Sequence, residues 1–249
     1  MIKTVTLQNT VLGEGTPKIC VPVVGRSREE ICSQAKEVAA VDPDLVEWRV
    51  DFYEEIFDRE AAKETLELLA EILKGIPVLF TFRSSLEGGE KAITAQDYFE
   101  LNSWAAAQPE IAMVDVEGRR ADLDSKALVA AIHGEGTPVV VSNHFFHETP
   151  ETEMLHQIFE ELEATGADIL KLAVMPQNEM DVLRLLQVTT EMKEKTDRPV
   201  ITMSMGKLGV VSRISGGLTG SAMTFGTVGA ASAPGQLPVK ELRNILKIF

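Results

Sequence analysis

Lys171 lies in the run Ile169-Leu170-Lys171-Leu172-Ala173-Val174, flanked by apolar residues on both sides. Such a run reads as a buried strand, and poor solvation or a nearby arginine lowers an amine's pKa from about 10.4 toward neutrality. A neutral amine adds to a ketone, and the protonated imine that results draws electrons from the neighbouring carbon. The alternative is a structural lysine, its stem buried and its ammonium paired with Glu47 or Asp115.

His144 ends the apolar run Val139-Val140-Val141-Ser142-Asn143-His144. Histidine is the usual residue for moving a proton near neutral pH, although a satisfied interior histidine reads the same way. With His147 it also makes an H-x-x-H, but no cysteine cluster or H-E-x-x-H accompanies it, so a metal site is not expected. Glu87 sits in Arg83-Ser84-Ser85-Leu86-Glu87-Gly88-Gly89-Glu90 and could orient His144, or be ordinary solvated surface. Arg213 could hold a carboxylate as a bidentate fork. The small-residue stretch 232–236, Ser-Ala-Pro-Gly-Gln, could close over a ligand. The alternatives are a surface arginine and a plain loop leading into a helix.

Positioning these groups requires elements that alternate. Apolar runs at 18–24, 44–50, 77–82, 111–116, 138–143, 168–174, 199–205 and 221–225 predict strands. Helical stretches fall between them at 28–40, 59–73, 95–107, 124–133, 151–164 and 181–194, with a last one from about 239 to 248. Only the seventh is weak, where 210–214 is short and flanked by glycines. Eight such repeats in parallel predict a (β/α)8 barrel formed as a single domain over residues 1–249. Two short runs around Gln8-Asn9-Thr10 predict a hairpin that plugs the barrel bottom.

Side chains alternate along a strand, so parity separates barrel interior from helix-facing exterior. The interior phase carries Glu47, Arg49, Arg83, Asp115, Glu117, His144 and Lys171, while Val46, Trp48, Val50, Phe80, Val141 and Asn143 share the outward one. Barrel interiors are normally filled with branched apolar residues, and ionised groups there are costly unless paired. One such pair could be structural. So many together predict a site at the C-terminal ends of the strands.

The chain has 249 residues, 45% hydrophobic and 25% charged, with a net charge of −14. The negative field argues against nucleic acid or an anionic membrane as partner. Two cysteines without a disulfide or metal spacing fit a reducing compartment. Residues 1–10 lack the apolar core of a signal peptide, and no apolar run approaches a bilayer span, so a cytoplasmic protein is expected. No Gly-x-Gly-x-x-Gly follows a strand and there is no P-loop, which disfavours nucleotide cofactors.

Several motifs together resemble the type I 3-dehydroquinate dehydratases over nearly the whole length. They are Glu47-Trp48-Arg49-Val50-Asp51, Leu79 to Ser84 with Glu87-Gly88-Gly89, Ser142-Asn143-His144, Lys171 to Pro176, Thr202 to Gly206, Ser212-Arg213 and Ser232 to Gln236. The resemblance implies a cofactor-free lyase converting 3-dehydroquinate to 3-dehydroshikimate by syn elimination of water. It implies an imine on Lys171, proton transfer by His144, and orientation of His144 by Glu87. Arg213, Ser232 and Gln236 would then hold the substrate carboxylate, and Glu47, Arg49 and Arg83 its ring hydroxyls. Met203, Met205, Phe225 and Ala233 would line the apolar side, and the protein would be a homodimer. One departure is Pro22, where some relatives carry a serine whose hydroxyl contact is absent here.

Two other readings share these features. A class I aldolase would use the interior lysine but would bring a phosphate-binding Gly/Ser loop set. A non-enzymatic barrel would have no reason to keep Lys171, His144 and Glu87 together.

Overall fold

The computed structural model describes residues 2–228 and 235–248. A hairpin of β1 (Val5–Leu7) and β2 (Thr10–Leu12) comes first, turning at Gln8, whose φ is +53°. Thr10 opens β2 rather than lying in the turn. The wall consists of β3 (Lys18–Val23), β4 (Leu45–Arg49), β5 (Val78–Thr81), β6 (Ile111–Glu117), β7 (Val139–His144), β8 (Ile169–Val174), β9 (Val200–Ser204) and β10 (Met223–Thr227). These strands pair in parallel and in chain order, and β10 returns to lie against β3. Between β9 and β10 the link is a bridge from Val200 to Ser221. Ala222 N–H donates to Val200 O at 2.8 Å, and Thr202 N–H to Ser221 Oγ at 3.1 Å. The result is the expected (β/α)8 barrel. A two-residue strand, β11 (Leu237–Pro238), lies parallel to β10.

The helices are α1 (Arg28–Ala39), α2 (Arg59–Leu73), α3 (Ala95–Ala106), α4 (Ser125–Gly134), α5 (Thr152–Ala164), α6 (Glu179–Lys195), α7 (Val210–Ile214), α8 (Gly216–Thr219) and α9 (Val239–Leu246). Side-chain caps set several starts. Asp58 accepts from the N–H groups of Glu60 and Ala61, and Thr94 from that of Asp97. Asn178 caps α6 by accepting from Met180 and Asp181, so that helix begins two residues before the predicted 181. β10 begins two residues after the predicted 221 because Ser221 and Ala222 make the seam with β9.

Burial follows strand parity. The outer layer packs Val46, Trp48, Val50, Phe80, Phe82, Val114, Val141 and Leu172 against the helices. A separate inner cluster fills the barrel with Cys20, Leu45, Leu79, Met113, Val140, Ile169, Ile201 and Met223, and the hairpin's Leu7 and Leu12 belong to it. The hairpin is therefore the bottom plug. Above this apolar floor the interior turns ionic. Among the described residues no helix is long and apolar enough to cross a membrane.

Candidate active site

The ionic layer is organised around Arg83, which follows β5 and is buried. Its Nη2 donates to Asp115 Oδ1 at 2.7 Å; its Nη1 donates to Ser142 Oγ at 3.0 Å, Glu117 Oε1 at 3.2 Å and Glu87 Oε2 at 3.4 Å. Burial disfavours the guanidinium charge, but Asp115, Glu117 and Glu87 more than offset this and hold its pKa well above the usual value. Asp115 is the converse case. Burial favours its neutral form, yet Arg83, Lys171 and the Ser142 hydroxyl keep it well below the usual carboxylate range.

Lys171 lies mid-strand in β8, opposite Ser142 of β7, with His144 one interior layer nearer the mouth opposite Ala173. Its Nζ donates to Asp115 Oδ2 at 3.0 Å, stands 3.6 Å from Glu47 Oε1, and is 4.8 Å from the centre of the Phe225 ring. The sequence left open whether this lysine sits poorly solvated or paired with Glu47 or Asp115, and both pairings are present. Glu47 also accepts from Thr81 Oγ1 at 3.1 Å.

Glu87 is brought inward by a tight loop. Glu117 anchors the loop's start, accepting from Ser84 N–H and Ser84 Oγ, both at 2.7 Å. Gly88 then takes φ +77°, open to glycine at little cost, and the Phe146 ring occupies the place of its missing Cβ. Glu87 is consequently buried rather than solvated, and this burial raises its pKa to about 7 despite Arg83. Its Oε2 lies 2.8 Å from His144 Nδ1, and its Oε1 accepts from Asn143 Nδ2 at 3.0 Å. Burial, together with the Arg83 and Lys171 charges, pushes His144 well below the ordinary imidazole range. A neutral ring with its proton on Nδ1 toward Glu87 leaves Nε2 as a base; that tautomer is assigned from the hydrogen bond.

A cavity of about 200 Å³ opens at the C-terminal ends of the strands. Glu47, Arg49, Arg83, His144, Lys171, Met203, Met205, Arg213, Phe225 and Gln236 all line it. Glu87 stands behind His144 rather than in the wall. Arg49 is gripped by Asp51 through two 2.8 Å bonds. Arg213 is a buried residue, not a surface one, and burial lowers its pKa to about 10. Ser232 and Ala233 lie outside the described residues. An interior lysine, a histidine and a buried arginine thus share one small cavity.

The family model of type I 3-dehydroquinase matches residues 19–249. The chain belongs to that family. A 3-dehydroquinate dehydratase of Listeria welshimeri is 46% identical over 245 residues, 98% of this chain and 97% of the relative. One from Salmonella agona is 45% identical over 249 residues, covering 100% and 99%. A solved type I 3-dehydroquinate dehydratase from Clostridium difficile, crystallised with covalently modified comenic acid, superposes with a TM-score of 0.96. It is 43% identical, covering 100% of this chain and 98% of its own.

For a type I 3-dehydroquinase the sequence reading missed several residues around the site. Asn143 was placed on the outward face, but at the end of β7 its amide reaches Glu87. Phe146 lies against His144 with ring centres 6.2 Å apart and planes 21° apart. Phe52 lines the cavity beneath the Arg49 guanidinium, 5.0 Å away. Both phenylalanines sit in loops, where no periodicity marks them. Two aromatics so near the charged residues of β4 and β7 were the only signal.

Proposed function

We propose that this chain is a hydro-lyase that dehydrates 3-dehydroquinate to 3-dehydroshikimate through an imine on Lys171. The observation that carries the reading is one cavity holding the Lys171 amine, the neutral His144 ring and the buried Arg213. The net imine-forming step converts Lys171–NH3⁺ and a ketone into Lys171–NH⁺=C and water, leaving the positive charge on nitrogen. That charge acidifies the adjacent C–H. His144 Nε2 takes this proton, giving a neutral enamine, and returns it to the departing hydroxyl so that water leaves from the same face. Water then hydrolyses the product imine and regenerates Lys171.

Glu87 orients His144 and stabilises its transient cation. Arg213 and Gln236, with Ser232, hold the carboxylate, while Glu47, Arg49 and Arg83 face the ring hydroxyls. Arg83 has most of its donors engaged by protein carboxylates, so it contributes chiefly charge. Met203, Met205, Phe225 and Ala233 pack on the apolar face of the ring. The electron sink is the iminium, so the scheme requires no cofactor.

The protein is further proposed to work in the cytoplasm as a homodimer, each chain one barrel domain over residues 1–249. Free Cys20 and Cys32 suit a reducing compartment. Exposed Met180 and Leu183 on α6 and Leu208 and Val211 near α7 suit a surface covered by a second copy.

Borohydride added during turnover of 3-dehydroquinate tests the chemistry. A mass increment on the peptide carrying Lys171 is expected. Product formation with no increment would overturn the imine route.

A further inference from the structure

Asp115 was legible as an interior charge, but the proposed reaction gives it no task. Its surroundings do. Lys171 Nζ lies 3.0 Å from Asp115 Oδ2, 3.6 Å from Glu47 Oε1 and 4.8 Å from the centre of the Phe225 ring. Glu47 and Phe225 line the cavity, whereas Asp115 is fully buried behind it. A ketone carbon in the cavity therefore meets Nζ from the side away from Asp115, where Glu47 and Phe225 lie.

Imine formation replaces three N–H bonds with one. RNH3⁺ + O=CR2 gives RNH⁺=CR2 + H2O, so the charge is conserved while two hydrogens leave as water. The iminium nitrogen is planar, with the lysine Cε and the substrate carbon on two of its three directions. Because the carbon arrives from the cavity, the remaining N–H points into the wall.

We propose that Asp115 is the counter-ion of the Lys171 iminium, accepting its single N–H through Oδ2 and keeping the nitrogen protonated while the adjacent carbon loses its proton. This rests on the imine reading above. The other oxygen, Oδ1, accepts from Arg83 Nη2 at 2.7 Å and from Ser142 Oγ at 2.6 Å. Those two donors make Asp115 a poor base, so it attracts the iminium proton without removing it. An unprotonated imine would be a far weaker electron sink. When the carbon proton leaves and the enamine becomes neutral, Arg83 still compensates Asp115, so no buried charge is stranded during the cycle. Glu47 is the alternative counter-ion, but it is more distant, accepts from Thr81, and lies on the side the substrate must enter.

The test reads the imine directly. Wild-type enzyme is equilibrated with 3-dehydroshikimate, which keeps the ketone, and the C=N stretch is recorded by Raman spectroscopy in H2O and D2O across pH. A protonated imine shifts in D2O; a neutral one does not. In Asp115→Asn the pH at which this D2O shift disappears is expected to fall by about 2. kcat should fall by roughly 10²-fold or more, with KM changed far less. Glu47→Gln should mainly raise KM and leave the imine's protonation where it was. Should Asp115→Asn fail to fold, Ser142→Ala loosens the clamp on Oδ1 with the charges intact, and a several-fold loss in kcat at similar KM is expected.

Asp115→Asn with an unmoved imine titration overturns the assignment, as does a titration that moves in Glu47→Gln instead. Where Asp115→Asn does not fold, unchanged kcat in Ser142→Ala overturns it. A wild-type enzyme that forms product but shows neither C=N band nor borohydride adduct defeats the imine reading and this inference together; an imine indifferent to residue 115 defeats only this one.

Discussion

Asn143 and His144 are adjacent in sequence yet hold opposite oxygens of the same carboxylate, Asn143 Nδ2 at 3.0 Å from Glu87 Oε1 and His144 Nδ1 at 2.8 Å from Oε2. Both residues belong to β7 and pair with β8, Asn143 with Leu172 and His144 with Ala173, and the two bonds meet on Glu87 at the C-terminal end of the strand. This grip fixes the rotation of Glu87 and, through it, the imidazole.

The charge state of Glu87 should therefore govern the low-pH side of activity. Burial raises its pKa to about 7, so its anion is fully present only above neutrality. kcat/KM is expected to fall about tenfold per pH unit below about 7, an apparent value belonging to the Glu87–His144 pair. Glu87→Gln should lower kcat and remove this limb. A profile in Glu87→Gln with the wild-type limb would assign it to another group.

The same elevation has a stability consequence of opposite sign. A carboxyl whose folded pKa lies above its unfolded value of about 4.5 makes the folded state bind the extra proton. Stability is favoured below the unfolded value and lost as pH rises through about 7. Glu87→Gln should thus gain stability relative to wild type on going from pH 5 to pH 8, by about 3 kcal/mol at most. Melting temperatures of both proteins at the two pH values check this, and an identical difference at both would contradict it.

Gly88→Ala should be disproportionately harmful for one methyl group. It combines a positive φ with a Cβ directed into the Phe146 ring. A loss of about 1–3 kcal/mol is expected. kcat should fall more than KM rises, because both Glu87 and the ring beside His144 would move. A variant with wild-type melting temperature and kcat would show that the loop relaxes freely.

Arg213→Ala should act on binding. Losing a charge-assisted contact to a carboxylate costs about 1.5–3 kcal/mol, so KM should rise by roughly 10- to 100-fold. Arg213→Lys should recover only part, since an ammonium lacks the planar fork. An unchanged KM in Arg213→Ala would move the carboxylate elsewhere in the cavity.

The architecture was legible because parity and length were unambiguous. Valines, Trp48 and Phe80 on one phase, and Glu47, Asp115 and Lys171 on the other, required a closed wall with an ionic centre. Side chains near strand ends were less legible. Asn143 lies on the outward phase of β7, and its bond to Glu87 depends on a loop whose path spacing does not reveal. The partners of Lys171 could be named but not chosen, because Asp115 and Glu47 lie on strands that are not its immediate neighbours. Arg83 reaches carboxylates on its own loop and on β6, and such distances across a barrel leave no trace in spacing. Phe52 and Phe146 belong to loops, where identity alone says little about direction.

The wall's seam also has a mechanical meaning. Neighbouring strands elsewhere share ladders of three to five paired residues, whereas β9 and β10, among the described residues, meet through the Val200–Ser221 bridge and the Ser221 hydroxyl. A cylinder opens first along its weakest stave. Amides flanking this line should exchange with solvent before those of the opposite wall, and Arg213, carried between β9 and β10, should loosen while Lys171 and Asp115 stay locked. Such a pattern of exchange would separate a yielding edge beside Arg213 from a rigid wall that carries Lys171 and Asp115.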